Sequence, residues 1–168
     1  MKESLVYLNG QMVPASQAHL AIFDAGIVLG ATVTEMTRTF RFQLYRLEDH
    51  LDRLFRSLRY TRMDIGLSKQ EMTAISQELV AHNARLLDEG DELGLIHFVT
   101  AGEYATYAGS AGRAPRTGPT VCMHTFPMPF ELWADKMQKG THLVTPSIRH
   151  VPPQCYDQIG RASCRERV

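Results

Sequence analysis

The chain has 168 residues, the length of one ordinary domain or two small ones. Hydrophobic residues make up 44% and charged residues 21%, enough apolar mass for a packed core, which excludes a disordered tail. Eighteen basic residues balance eighteen acidic ones, so there is no whole-chain basic excess of the kind that binds nucleic acid or an anionic membrane.

Residues 5–8 form a β-rich run, and Asn9-Gly10 behind it is a strong hairpin signal, with 11–13 as the return strand before Pro14. Residues 20–23 are apolar, and Asp24, Ala25 and Gly26 mark a turn. Residues 33–40 are rich in β-branched and aromatic side chains and predict a strand, followed by a turn at Arg41 and Phe42 and a strand over 43–46. At Leu47 the period changes. Leu47, Leu51, Leu54, Phe55 and Leu58 share one helical face, acidic residues sit in the first turns, and Gly66 closes the region. Ser68 and Glu71 have the spacing of a capping box, which starts a second helix running to about Leu87. A turn over 88–91 leads to strands over 93–100 and 120–126, separated by a long glycine-bearing loop over 101–119. Pro127 and Pro129 read as a linker, then a short helix over 132–137 and a strand over 143–145. The pattern is α+β, with an N-terminal domain over 1–129 and the start of an uncompleted second domain over 130–157.

The last eleven residues, QIGRASCRERV over 158–168, read as a translated sequencing adapter, a non-native tail to be excluded from fold reasoning. Without it the chain has 15 basic and 17 acidic residues, and it is expected to be the N-terminal piece of a longer protein.

The start of the chain lacks a secretory pattern, and the apolar stretch over 25–33 is too short to span a bilayer, so the cytoplasm is the expected compartment. Cys122, Cys155 and Cys164 form no CxxC pair, and a disulfide framework is not expected. Seven histidines show no HxxxH spacing, so no metal site is predicted. Nucleotide-binding glycine motifs and the GxSxG elbow are missing as well. Arg53, Arg56, Arg59 and Arg62 recur every third residue along the first long helix. They read either as a solvated face alternating with Asp49 and Asp52, or as containing one arginine that meets an anion, whose bidentate geometry suits a guanidinium.

The ordered motifs over 6–65 add a resemblance. YLNGQMVP over 7–14, Asp24 and Gly26 with Gly30, Glu35 with Arg38, Leu44 with Leu47, and His50, Leu51, Arg53 and Ser57 occur in sequence. Together they resemble the N-terminal domain of the class IV (fold type IV) aminotransferases, branched-chain amino-acid aminotransferase-like. The likeness is good over about the first 100 residues and thinner to Tyr156. It implies an enzyme using pyridoxal 5'-phosphate to move an amino group between an amino acid, with branched-chain ones as the nearest type, and a 2-oxo acid. It also implies a homodimer as the intact form and no nucleic-acid or membrane partner. It implies that Arg53 holds the cofactor phosphate. Lys2, Lys69, Lys136 and Lys139 are the only lysines. None stands where the family places the lysine that carries its cofactor, a few residues beyond Tyr156, so the chain by itself is expected to be inactive. The positions matching the family's substrate wall are Leu29, Thr34, Met36, Leu95 and His97, with His97 in place of an arginine. The basic residue of D-amino-acid members is matched by Ala101. An aminodeoxychorismate lyase-like fragment shares the same fold and cofactor, and a non-catalytic binding or dimerisation module is the reading from a different class.

Overall fold

The computed structural model describes residues 3–147, apart from 111, 113 and 115. The adapter-like tail, Cys155, Cys164 and the stretch leading to Tyr156 lie outside the described residues.

Strand β1 (Leu5–Leu8) turns through Asn9 and Gly10 into β2 (Gln11–Pro14). Both turn residues have positive φ, 50° and 94°, the backbone that a two-residue hairpin matching the strand twist demands. Asn9 also joins the neighbouring strand: its amide donates to Val121 O, and its side-chain oxygen accepts from Val121 N, each at 2.9 Å. Helix α1 (Ala25–Val28) follows, then β3 (Thr32–Phe40) and the two-residue β4 (Gln43–Leu44). Next come α2 (Leu47–Thr61), α3 (Lys69–Asn83), β5 (Leu93–Thr100), α4 (Ala105–Ser110), β6 (Thr120–Pro127) and α5 (Phe130–Lys139). The strands form one antiparallel sheet in the order β2-β1-β6-β5-β3-β4.

Helices α2 and α3 cover one face of this sheet. Leu51, Leu54 and Leu58 of α2 and Met72 and Leu79 of α3 pack with Val33, Leu95, Val99, Val121 and Met123. Each fully buried leucine contributes about 2 kcal/mol, so this layer holds the sheet and helices together. The opposite face carries Thr34, Met36, Arg38 and Phe40 from β3, Ile96 and Phe98 from β5, and Cys122, His124 and Phe126 from β6, half-buried or exposed. Mixed helix and sheet in this arrangement is the α+β class expected.

The predicted start of α3 is present in full: Ser68 accepts from Glu71 N, and the Glu71 side chain accepts from Ser68 N. Several boundaries differ from expectation, and four of the differences have a local reason. Asp24 does more than turn the chain, because its side chain accepts from Gly26 N at 2.8 Å and so begins α1. Helix α2 ends at Thr61 rather than at Gly66, since Arg62 adopts φ 55° and sends its amide to the Leu58 and Arg59 carbonyls. Within the expected loop over 101–119, α4 forms with Ala108 fully buried. The strand expected over 143–145 is absent: Leu143 and Val144 are exposed, and no neighbouring strand among the described residues offers a ladder.

Candidate functional site

The chemistry-bearing residues converge between α2 and β3. Glu35 lies on β3 with its side chain turned to the helices, at a position where the alternation of the strand buries it completely. A carboxylate in such a place costs several kcal/mol unless donors surround it. Four do. Arg53 of α2 donates Nε to Oε2 at 2.5 Å and Nη2 to Oε1. His50 Nδ1 is 2.9 Å from Oε1, and because a carboxylate only accepts, that ring nitrogen carries the proton. The amide of Met36 completes the set at 3.1 Å. Burial opposes the charged form of Glu35, yet the hydrogen bonds from Arg53 and His50 outweigh it and hold the carboxyl below its ordinary range.

The two ends of this ion pair sit in different surroundings. The Glu35 side chain is 0% exposed and that of Arg53 is 34% exposed, so the carboxylate is a buried anchor and the guanidinium reaches the surface. The structure gives the four arginines different surroundings. Arg56 and Arg59 are exposed, Arg62 caps the helix, and of the four Arg53 is the one gripped by a buried acid.

The expected substrate residues do not all gather. Thr34 and Met36 share the face of the sheet away from the helices. Leu29, 60% exposed, follows α1 just before β3 begins. Leu95 and His97 project the other way, into the helix layer, so they do not line a surface with Thr34 and Met36. The reason is the pleat. In the β3–β5 register Thr34 faces Phe98 and Met36 faces Ile96, so the open-face partners are Ile96 and Phe98, one residue out of step with the expectation. His97 pairs across the ladder with Glu35 and is fully buried, with Nε2 2.9 Å from Ser76 Oγ. That hydroxyl gives its own proton to the Met72 carbonyl at 2.7 Å, so Nε2 is the donor and Nδ1 bears a lone pair. Nδ1 has no partner among the described residues. Burial pushes the His97 pKa down to about 4, and the nearby Glu35 charge only partly offsets it.

Sequence reasoning missed Glu35 as a functional residue, although it stands inside the motif that carried the resemblance. The signal available was an acidic residue in a strand of mostly β-branched residues, which needs a partner if it is buried. Among the described residues no group of three potential metal ligands occurs, and no helix is long and apolar enough to cross a membrane.

The arrangement offers a permanently charged, planar fork, fixed in orientation and partly exposed, which suits a phosphate or carboxylate. Known proteins place it further. No family model matches the chain. It is 33% identical over 149 residues to the "Putative branched-chain-amino-acid aminotransferase" of Methanocaldococcus jannaschii, covering 88% of this chain and 47% of that protein. It is 25% identical over 142 residues to a D-alanine aminotransferase of Staphylococcus aureus, covering 83% of this chain and 46% of the relative. The chain thus spans about half the length of the curated relatives it matches. Its fold matches the branched-chain amino acid aminotransferase of Escherichia coli with TM-score 0.62 at 20% identity, covering 76% of this chain and 40% of that one. A hypothetical aminotransferase from Mycobacterium tuberculosis, in a PLP-bound form, matches with TM-score 0.61 at 19% identity, covering 80% of this chain and 43% of that one.

Proposed function

From a chain that belongs to the fold type IV aminotransferases over part of their length, we propose that it is the N-terminal portion of a pyridoxal-phosphate enzyme exchanging an amino group between an amino acid and a 2-oxo acid. Residues 1–129 are the N-terminal domain in this reading and 130–157 begin the second, and the intact enzyme is a homodimer. The observation that carries it is the Arg53 guanidinium, locked by buried Glu35 and one-third exposed. Relatives of both branched-chain and D-alanine type are similar to this chain, so the amino donor is either class.

The cofactor fits what this chain provides. Arg53 stays charged at every working pH and its planar fork matches phosphate oxygens. Glu35 keeps that plane from rotating, and His50 keeps Glu35 ionised through its Nδ1 proton. When bound, pyridoxal phosphate supplies the conjugated ring that takes up the electron pair released at the amino-bearing carbon. Thr34, Met36, Ile96 and Phe98 form an open, mostly apolar surface on the sheet face opposite to the one that carries Glu35 and α2. His97 is left to the core in this reading, and Leu29 flanks that surface.

Proton movement at the substrate carbon needs an amine, and among the described residues no lysine stands at the site. Lys69 is paired with Asp52 at 2.8 Å on the α2–α3 surface, and Lys136 and Lys139 lie on α5. The 168-residue chain is therefore expected to show no transamination, and to keep no cofactor absorbance after mixing with pyridoxal phosphate and dialysis. One partly exposed ion contact contributes roughly 1 kcal/mol or less. In the full-length enzyme, Arg53→Ala is expected to weaken cofactor retention while Arg56→Ala and Arg59→Ala leave it unchanged. Unchanged retention in Arg53→Ala overturns the reading.

A further inference from the structure

Packing alone does not account for Glu35, because a buried ion pair is commonly matched in stability by well-packed apolar residues of similar volume. On the helix side it is flanked by Val33 and Thr37 of β3, and His97 stands across from it on β5. What the carboxylate achieves is directional. An arginine on the first turns of a helix has four rotatable side-chain bonds and wanders unless something takes hold of it. Here one buried carboxylate grips Nε and Nη2 together, so the guanidinium plane is set by β3 rather than by the mobile chain of Arg53. The carboxylate is itself held from two other directions: by the Met36 amide of its own strand, and by His50, one turn before Arg53 on α2. All four donors converge on two oxygens that no solvent reaches. The result is a strand-to-helix clamp with an arginine fork at its exposed end.

We propose that Glu35 is the positioning residue for this anion site, fixing the Arg53 fork for a phosphate group, with His50 as its second support. The inference rests on the reading of Arg53 as the phosphate anchor. It assigns a role to residues that never touch the ligand, and it predicts that removing the Glu35 charge weakens anion binding even though Arg53 is intact. A guanidinium that must first be ordered loses part of the interaction to that ordering, whereas one already held does not.

The test uses the 168-residue chain and inorganic phosphate, read by the Nε–Hε signal of Arg53 in nitrogen-15 NMR. Two results are expected of the unmodified chain. The Arg53 Nε proton exchanges slowly with water, because it lies in a hydrogen bond to a buried carboxylate, and the signal moves saturably as phosphate is added. Glu35→Gln is expected to speed that exchange and to raise the half-saturating phosphate concentration about threefold, within what one partly exposed ion contact carries, while the backbone amide spectrum of the sheet is retained. Glu35→Asp keeps the charge on a shorter arm and is expected to restore part of the affinity. His50→Gln leaves the Arg53–Glu35 fork in place and is expected to weaken phosphate less than Glu35→Gln does. If the unmodified chain shows no saturable phosphate response at Arg53, the anchor reading itself is overturned. If Arg53 responds but Glu35→Gln binds phosphate equally well, the anchor stands and the positioning role is overturned. Should Glu35→Gln fail to fold, the exchange rate of the unmodified chain decides. A rapidly exchanging Arg53 Nε proton means the fork is not held, and the proposal falls.

Discussion

At the scale of single residues, two buried ionisable groups face each other across the β3–β5 ladder and solve burial in opposite ways. Glu35 stays charged by collecting donors, and His97 stays neutral by shedding its proton. Their pH signatures share a sign but occupy different windows. The His97 pKa falls from 6.5 to about 4 on folding, so the unfolded chain binds the extra proton between those values. Its stabilising effect is complete above pH 6.5 and is lost as the pH falls towards 4, a swing of about 3 kcal/mol. Glu35 adds a second loss below about 4.5, where its carboxyl takes up a proton in the unfolded chain first. Replacing His97 by Leu is expected to flatten the decline between pH 6.5 and 4.5 in urea-unfolding midpoints measured across that range. It is expected to leave stability at pH 7 nearly unchanged, because the partnerless Nδ1 goes with the ring. An unaltered pH profile would show that His97 is not the titrating group. The Glu35 role had a signal in the sequence, an acid within a β-branched strand, whereas the His97 role had none. Alternation told which residues of a strand share a face, but the mostly apolar run over 93–100 has no clear polar phase to fix which face is buried, so the sequence did not show that Leu95 and His97 lie on the face away from Thr34 and Met36.

At the scale of elements, the readable parts were those with local chemistry. The Asn9-Gly10 hairpin, the Ser68–Glu71 capping box and the periodic α2 each state their own geometry within a few residues. The β5–β6 connection does not, because its order comes from contacts distant in sequence. Arg116 N donates to Glu103 Oε2 at 2.9 Å, the Arg116 guanidinium reaches Thr120 Oγ1 at 2.5 Å, and Thr120 in turn donates to Asp24 at 2.8 Å. Gly102 is the pinch point of this stretch. Its φ is 86°, and a Cβ built there would collide with the Gly118 carbonyl oxygen. Backbone cannot swing aside as a side chain can, so Gly102→Ala is expected to lower stability by about 1–3 kcal/mol or more. A midpoint of thermal unfolding equal to that of the unmodified chain would contradict it. Gly94 makes the contrast. Its added Cβ would meet the tip of the Phe126 ring, and a ring at the half-open face can turn away.

At the scale of the whole molecule, the helices α2 and α3 cover one side of the sheet, and among the described residues no helix layer covers the other. One edge strand, β2, ends at Pro14, while the other, β4, pairs only Thr39 and Phe40 and leaves the outer side of β3 over 32–38 without a strand among the described residues. No strand forms over 141–147, so the described residues leave no unfinished edge there. The exposed apolar surface lies instead on the open face: Met36 and Phe40 are each about half exposed, beside Ile96, Phe98 and Phe126. The chain is expected to self-associate in sedimentation velocity, with Met36→Glu shifting it towards monomer. A monomeric unmodified chain would mean that this face is tolerated in water.

The topology also sets an order in time. β1 lies between β2 and β6, and its bond from Asn9 to Val121 joins residues 112 positions apart. During synthesis at about 5–20 residues per second, the first hairpin emerges roughly 6–20 seconds before its permanent neighbour exists. A lone hairpin is only marginally stable in water. For that interval the register of β1 depends on the Asn9-Gly10 turn alone, and Tyr7, destined for the core, waits exposed while β3, α2, α3 and β5 are made. The residues that close the sheet last are therefore among those translated first, and Asn9, which both makes the turn and later receives the Val121 amide, serves the nascent chain before it serves the finished one.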